Sequence, residues 1–174
     1  MFDVLKRFHS NPHEIAALDA LDHPSDFSGL RNMDVRDIEF QLVKIPSFEP
    51  YCTWTLFTPK DGDAVVRRIM WQRTAPHELA IEGPTTFGSD GTIDRATVAE
   101  IVDSLRGIAI PAFGFPPTLG IDGTTFGVRK TDNFHRAELF WWSRPPSGWE
   151  RLASWLDETI SVFDSVLPEP TAKR

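Results

Sequence analysis

The hydrophobic pattern changes period several times along this chain of 174 residues, and each change marks an element. From Asp37 to Leu42 polar and apolar residues alternate (Asp-Ile-Glu-Phe-Gln-Leu). Period two is the mark of a strand with one face in a core. Pro46 and Pro50 interrupt the ladder, because proline has no N–H to donate. Tyr51 to Thr58 is aromatic and β-branched, as strands prefer. In Pro59-Lys60-Asp61-Gly62-Asp63 proline fixes φ and glycine accepts a positive φ, so the chain turns. Ala64 to Arg73 returns, and residues 36–73 predict a three-stranded meander. Arg67 and Arg68 are successive in the last strand and face opposite ways.

Elsewhere the spacing is three and four. Residues 1–34 read as a helical, irregular N-terminal segment. Val4, Leu5 and Phe8 share one face. Asn11 caps a second short helix, with Pro12 in its tolerated first position and Ile15, Leu18 and Leu21 at helical spacing. His23-Pro24-Ser25-Asp26 ends it. Residues 74–92, rich in Pro and Gly, read as loop with room for a short strand at Glu78–Ile81. Asp94 then caps a helix over 94–106, with Val98, Ile101, Val102 and Leu105 as its stripe and Gly107 as a left-handed C-cap.

The last third mixes both periods. Asp122-Gly123, inside Leu119–Val128, is a hairpin signal. Thr131-Asp132-Asn133 turns the chain again, and His135 to Trp142 predicts the final strand. Trp141 and Trp142 point to opposite faces, one to the core and the other half-exposed. Pro145-Pro146 stops the strand. Ser147-Gly148-Trp149-Glu150 matches a capping box. Trp149, Leu152, Leu156, Ile160, Phe163 and Leu167 make an amphipathic helix over 148–167. Pro168 ends it, and 168–174 is expected to be a flexible tail. The sum is one α+β domain over 1–174. It is a mainly antiparallel sheet from 36–73 and 118–142, with helices 94–106 and 148–167 packed on one face. Long crossover helices at regular spacing, which a parallel sheet needs, are missing.

Composition narrows the function. Apolar residues make up 41%, with 13 Phe and 6 Trp, enough for a core. The formal charge of −7 disfavours nucleic acid and anionic membrane surfaces. No apolar run approaches the roughly 20 residues of a membrane helix, and no signal-peptide pattern opens the chain, so a cytoplasmic location is expected. The lone Cys52 reads as a half-buried strand residue. A nucleophile would need a histidine and a low thiol pKa beside it.

Candidate chemistry is sparse. His9 and His13 are four apart, but Asn11-Pro12 breaks the helix that would align them. His77 lies in a Pro-rich loop and His135 opens a strand. Asp19, Asp22 and Asp26 read as solvated positions. Phosphate-loop, dinucleotide and zinc-protease motifs are missing, and the Asp-Gly turns lack the calcium-loop pattern. No catalytic residue, metal or cofactor is expected.

Ile108 to Pro117 is the unusual stretch: Ile108, Ile110, Phe113 and Phe115 among three prolines and a glycine. Phe113 and Phe115 flank Gly114 and share a side if the segment is extended. The segment either closes the core or forms a contact surface. Phe113, Phe115, Trp142 and Arg144 are the candidate interaction surface.

Asp122-Gly123-Thr124-Thr125-Phe126, Trp141-Trp142-x-x-Pro145 and Trp149-x-x-Leu152 resemble the C-terminal part of many small bacterial proteins, some of them similar to immunity proteins encoded beside secreted toxins. The likeness covers about residues 118–167 and transfers no functional residue. It implies a protein that binds and blocks one partner, and net acidity suits a basic partner surface. The expected function is a non-enzymatic binding protein, immunity-like. The alternatives are a small hydrolase-like enzyme with a site assembled from loops, and a subunit that homo-oligomerises.

Overall fold

A computed structural model describes residues 1–9, 11–73, 85–112, 122–131, 135–170 and 172–173. Helices α1 (Phe2–Lys6) and α2 (Pro12–Asp22) open the chain. Strands β1 (Ile38–Pro46), β2 (Tyr51–Phe57), β3 (Ala64–Trp71) and β4 (Thr86–Ile93) follow, then α3 (Arg95–Arg106). β5 (Thr124–Thr131), β6 (Arg136–Trp142), α4 (Glu150–Val166) and the two-residue β7 (Ala172–Lys173) complete it. The strands form one antiparallel sheet in the order β6-β5-β1-β2-β3-β4-β7. The fold is α+β with an antiparallel sheet, as its strand periods predict.

Strand alternation divides the side chains between two layers. Phe40, Leu42, Trp54, Leu56, Val66 and Trp141 pack against Val98, Ile101, Leu152, Leu156 and Phe163 of α3 and α4. Those two helices share one face. The opposite face is not open. Val43, Ile45, Ile69 and Trp71 pack there against Phe2, Ala17, Leu18 and Leu21 of α1 and α2. The protein therefore has three layers, because successive strand residues are apolar on both sides of the sheet.

Local signals hold at several caps. Asn11 accepts a hydrogen bond from His13 N, and Asp94 from Thr97 N at 2.9 Å. Two expected caps do not form. Gly107 is right-handed, with φ −79°, and its N–H is satisfied by Asp103 O at 3.1 Å. Ser147 makes no capping bond: Gly148 takes φ +86°, Trp149 N bonds Pro146 O at 2.9 Å, and α4 begins at Glu150. A tight turn thus replaces the capping box.

β4 lies in the stretch expected to be loop. Gly88 and Gly91 lower its intrinsic strand preference, but close packing requires them. A Cβ on Gly88 would meet Phe27 at 2.8 Å, and one on Gly91 would meet the Val166 carbonyl. The expected strand at Glu78–Ile81 lies outside the described residues. Asp122-Gly123 turns between no two described strands, since β5 pairs with β1 and β6. Ala172 and Lys173, in the expected tail, pair with Gly88 and Phe87.

Candidate functional site

Three regions on the surface or just below it bring polar or exposed apolar groups together. The first is a row of directly opposed residues across six strands. Glu138 opposes Arg129, Arg129 opposes Gln41, Gln41 opposes Thr55, Thr55 opposes Arg67 and Arg67 opposes Asp90. All face the α1–α2 layer. Gln41 Nε2 donates to Leu21 O and to Thr55 Oγ1, each at 3.0 Å. Arg129 donates to the Gln41 side-chain oxygen, the Asp22 carboxylate and Asp22 O. Arg67 donates to Pro24 O, Ser25 O and Arg31 O. The carbonyls at the end of α2 and in the following loop thus hang on side chains from the sheet, which supplies cations where a helix end is negative.

A pocket of about 280 Å³ opens over this row, lined among others by Asp22, His23, Ser25, Gln41, Thr55 and Arg129. Burial pushes the Asp22 carboxyl up, but the bond and charge of Arg129, with His23 and Lys6, outweigh it and hold the pKa below the usual value. An Asp-His-Ser set lines this pocket, yet no catalytic relay is built from it. His23 Nδ1 is 3.9 Å from the Asp22 carboxylate, beyond hydrogen-bond reach, and its side chain is 74% exposed. The Ser25 hydroxyl is buried without a partner, so His23 does not activate it. Cys52 offers no nucleophile either, since burial pushes its thiol up to about 12. Among the described residues no three His, Cys, Asp or Glu side chains are placed to hold a metal ion.

The second region is one end of the sheet. The antiparallel registers place Pro46, Tyr51, Trp71, Thr86, Thr124 and Trp142 there. His9 meets Trp71 edge-on at 5.9 Å, Trp71 meets Tyr51 at 5.3 Å, and the Arg73 guanidinium lies 4.8 Å from the Tyr51 ring. Arg73 also donates to Ser47 O at 2.9 Å. Beside the two ends of this ladder stand Phe8, 81% exposed, and Phe48, 84% exposed. Nearby, Ser47 Oγ donates to Gly123 O at 2.9 Å and accepts from Gly123 N at 3.0 Å. Gly123 is needed there, because a Cβ would strike Trp142 and Ser143.

The third region is an apolar groove of about 320 Å³ on the α3–α4 face. Leu105, Ile108, Ile110, Val128, Ala137 and Leu139 line most of it. Ile108 and Ile110 thereby pack on the core, one of the two outcomes left open for their segment.

Of the candidate interaction residues, Phe113 and Phe115 lie outside the described residues. Trp142 is half-buried and Arg144 exposed, both at the sheet end of the second region. Trp141 is the core member of its pair and stacks on Phe126, which settles which of the two opposite-facing tryptophans is buried. Phe8 and Phe48 were the missed members. A phenylalanine in the turn Ser47-Phe48-Glu49-Pro50, outside any strand, was the available signal. Among the described residues no helix is long and apolar enough to cross a membrane. No known protein family, curated protein or solved structure matches this chain.

Proposed function

We propose that this chain is a non-enzymatic binding protein that engages a partner protein with the loop end of its sheet, as immunity proteins engage the target they block. The observation that carries the reading is the exposure of Phe8 and Phe48 beside a rigid aromatic ladder. Exposing each ring to water is unfavourable, and burial against a partner relieves that cost. The His9, Trp71, Tyr51 and Arg73 contacts hold both positions in place, which lowers the ordering cost of binding. Trp142 and Arg144, residue types enriched at interfaces, stand at the same end. Solvent-facing Glu150, Asp157 and Glu158 on α4 favour encounter with a basic partner. The alternative, a small hydrolase, has less support, because Asp22, His23 and Ser25 form no hydrogen-bonded relay.

A photo-crosslinking residue at position 48, introduced in cells that express the chain, tests the reading. The captured protein should bind the purified chain directly. Phe8→Ser with Phe48→Ser should weaken that binding by at least about tenfold while the thermal midpoint stays unchanged. Equal affinity of the double variant, or no capture at position 48, sinks the proposal.

A further inference from the structure

The two edges of the sheet are treated differently. On the β4 edge the chain's own β7 pairs with Phe87 and Gly88. The β6 edge is bare: among the described residues nothing pairs with its outer side. An uncovered edge presents a row of backbone donors and acceptors that another strand satisfies. β6 begins Arg136-Ala137-Glu138-Leu139, with Arg136 and Ala137 exposed.

We propose that the β6 edge is the interface between two copies of this chain, paired antiparallel about a two-fold axis through Ala137. Charge complementarity selects the second copy as occupant. Within one copy Arg136 Nη2 donates to Glu138 Oε1 at 2.7 Å; in this register each Arg136 also lies directly opposite the other copy's Glu138, so the two internal pairs join into one ring of alternating charges. A shift that centres the axis on Glu138 instead sets two carboxylates face to face, which opposes pairing. Ala137 on the axis is small and puts no bulk between the strands. Faces match as well. Residues 135, 137 and 139 of both copies lie on the α3–α4 side, because directly opposite residues share a face. Ala137 and Leu139 form part of the groove that holds Ile108 and Ile110, so the second copy's Leu139 extends that apolar surface instead of meeting water. The two sheets become one, an isologous contact with closed symmetry.

Light scattering over a concentration series on the full chain reads the interface. The wild type should pass from monomer to dimer, and amide exchange in 135–139 should slow as concentration rises. Arg136→Glu should weaken the dimer by about tenfold, since two attractive pairs become repulsive. Arg136→Gln, which removes the attraction without adding repulsion, should weaken it less than Arg136→Glu does. The readout is oligomeric state, so it is independent of capture at Phe48. A chain that remains monomeric at millimolar concentration, amide exchange in 135–139 that does not respond to concentration, or a dimer indifferent to both charge changes overturns the proposal.

Discussion

Arg67 on β3 and Asp90 on β4 stand directly opposite each other and form a two-pronged ion pair, Nε to Oδ1 at 2.7 Å and Nη2 to Oδ2 at 2.8 Å. The arginine side chain is fully buried. Its remaining N–H groups go to Pro24 O at 2.6 Å, Ser25 O at 3.1 Å and Arg31 O, and Phe57 lies under the guanidinium, 5.5 Å from its carbon. Five donors meet five acceptors, the condition under which a buried cation is tolerated. The pair ties the loop after α2 to β3 and β4.

Arg67→Met should therefore cost about 3–5 kcal/mol, because it strands Asp90 and the buried carbonyls of Pro24 and Ser25. Arg68→Met should cost under about 1 kcal/mol, since its ion pair with Asp164 is largely solvent-exposed. Urea denaturation of the two variants gives the comparison. Equal midpoints would mean that the Arg67 bonds are replaced by water.

Asp22 should give the protein an acid-sensitive component. Its pKa is depressed in the folded state, so it contributes stability above its unfolded value of about 4 that is lost as pH falls through the folded one. Denaturation midpoints between pH 7 and pH 3 should drop more steeply for the wild type than for Asp22→Asn. Parallel pH profiles would remove Asp22 from the acid response.

At the β6–α4 junction, Ser147→Ala should change stability by less than about 0.5 kcal/mol, because Ser147 is exposed and caps nothing. Trp149→Ala should cost about 3–5 kcal/mol, since the ring packs on Trp141 and its Nε1 donates to Pro111 O at 3.1 Å. A serine variant that loses a full kilocalorie would restore the capping box.

Gly91→Ala should destabilise by about 1–3 kcal/mol. The added methyl meets backbone at Val166 and Leu167, which cannot rotate away as a side chain can. Gly62→Ala meets nothing within 4 Å but sits at φ +91°, so its cost is conformational, about 1 kcal/mol. Thermal midpoints separate the two, and a neutral Gly91→Ala would show that α4 stands farther from β4.

Cys52 is half-buried and burial pushes its thiol up to about 12, so it should react with an aromatic disulfide reagent at pH 8 far more slowly than a free thiol. Prompt stoichiometric reaction in native buffer would contradict that burial.

Local rules determined much of this protein from its sequence. Period-two alternation placed β1, aromatic and β-branched composition placed β2, the return from the Asp-Gly turn placed β3, apolar stripes placed α3 and α4, and Asn11 and Asp94 cap as their positions predict, because each depends on neighbours within a few residues. What depends on distant partners was decided by the tertiary structure alone. β4 carries two glycines against its strand preference, and only the approach of Phe27 and of the α4 end explains them. Arg67 and Arg68 read alike in sequence. Register set one against Asp90 inside the protein and the other against Asp164 near its surface. The Glu138-to-Asp90 row is invisible in the chain, since its members come from six strands and meet only when every register is set. α1 and α2 gained a place on the second face for the same reason: Leu18 and Leu21 predict a helix, but Gln41, Arg67 and Arg129 provide the sites that hold it.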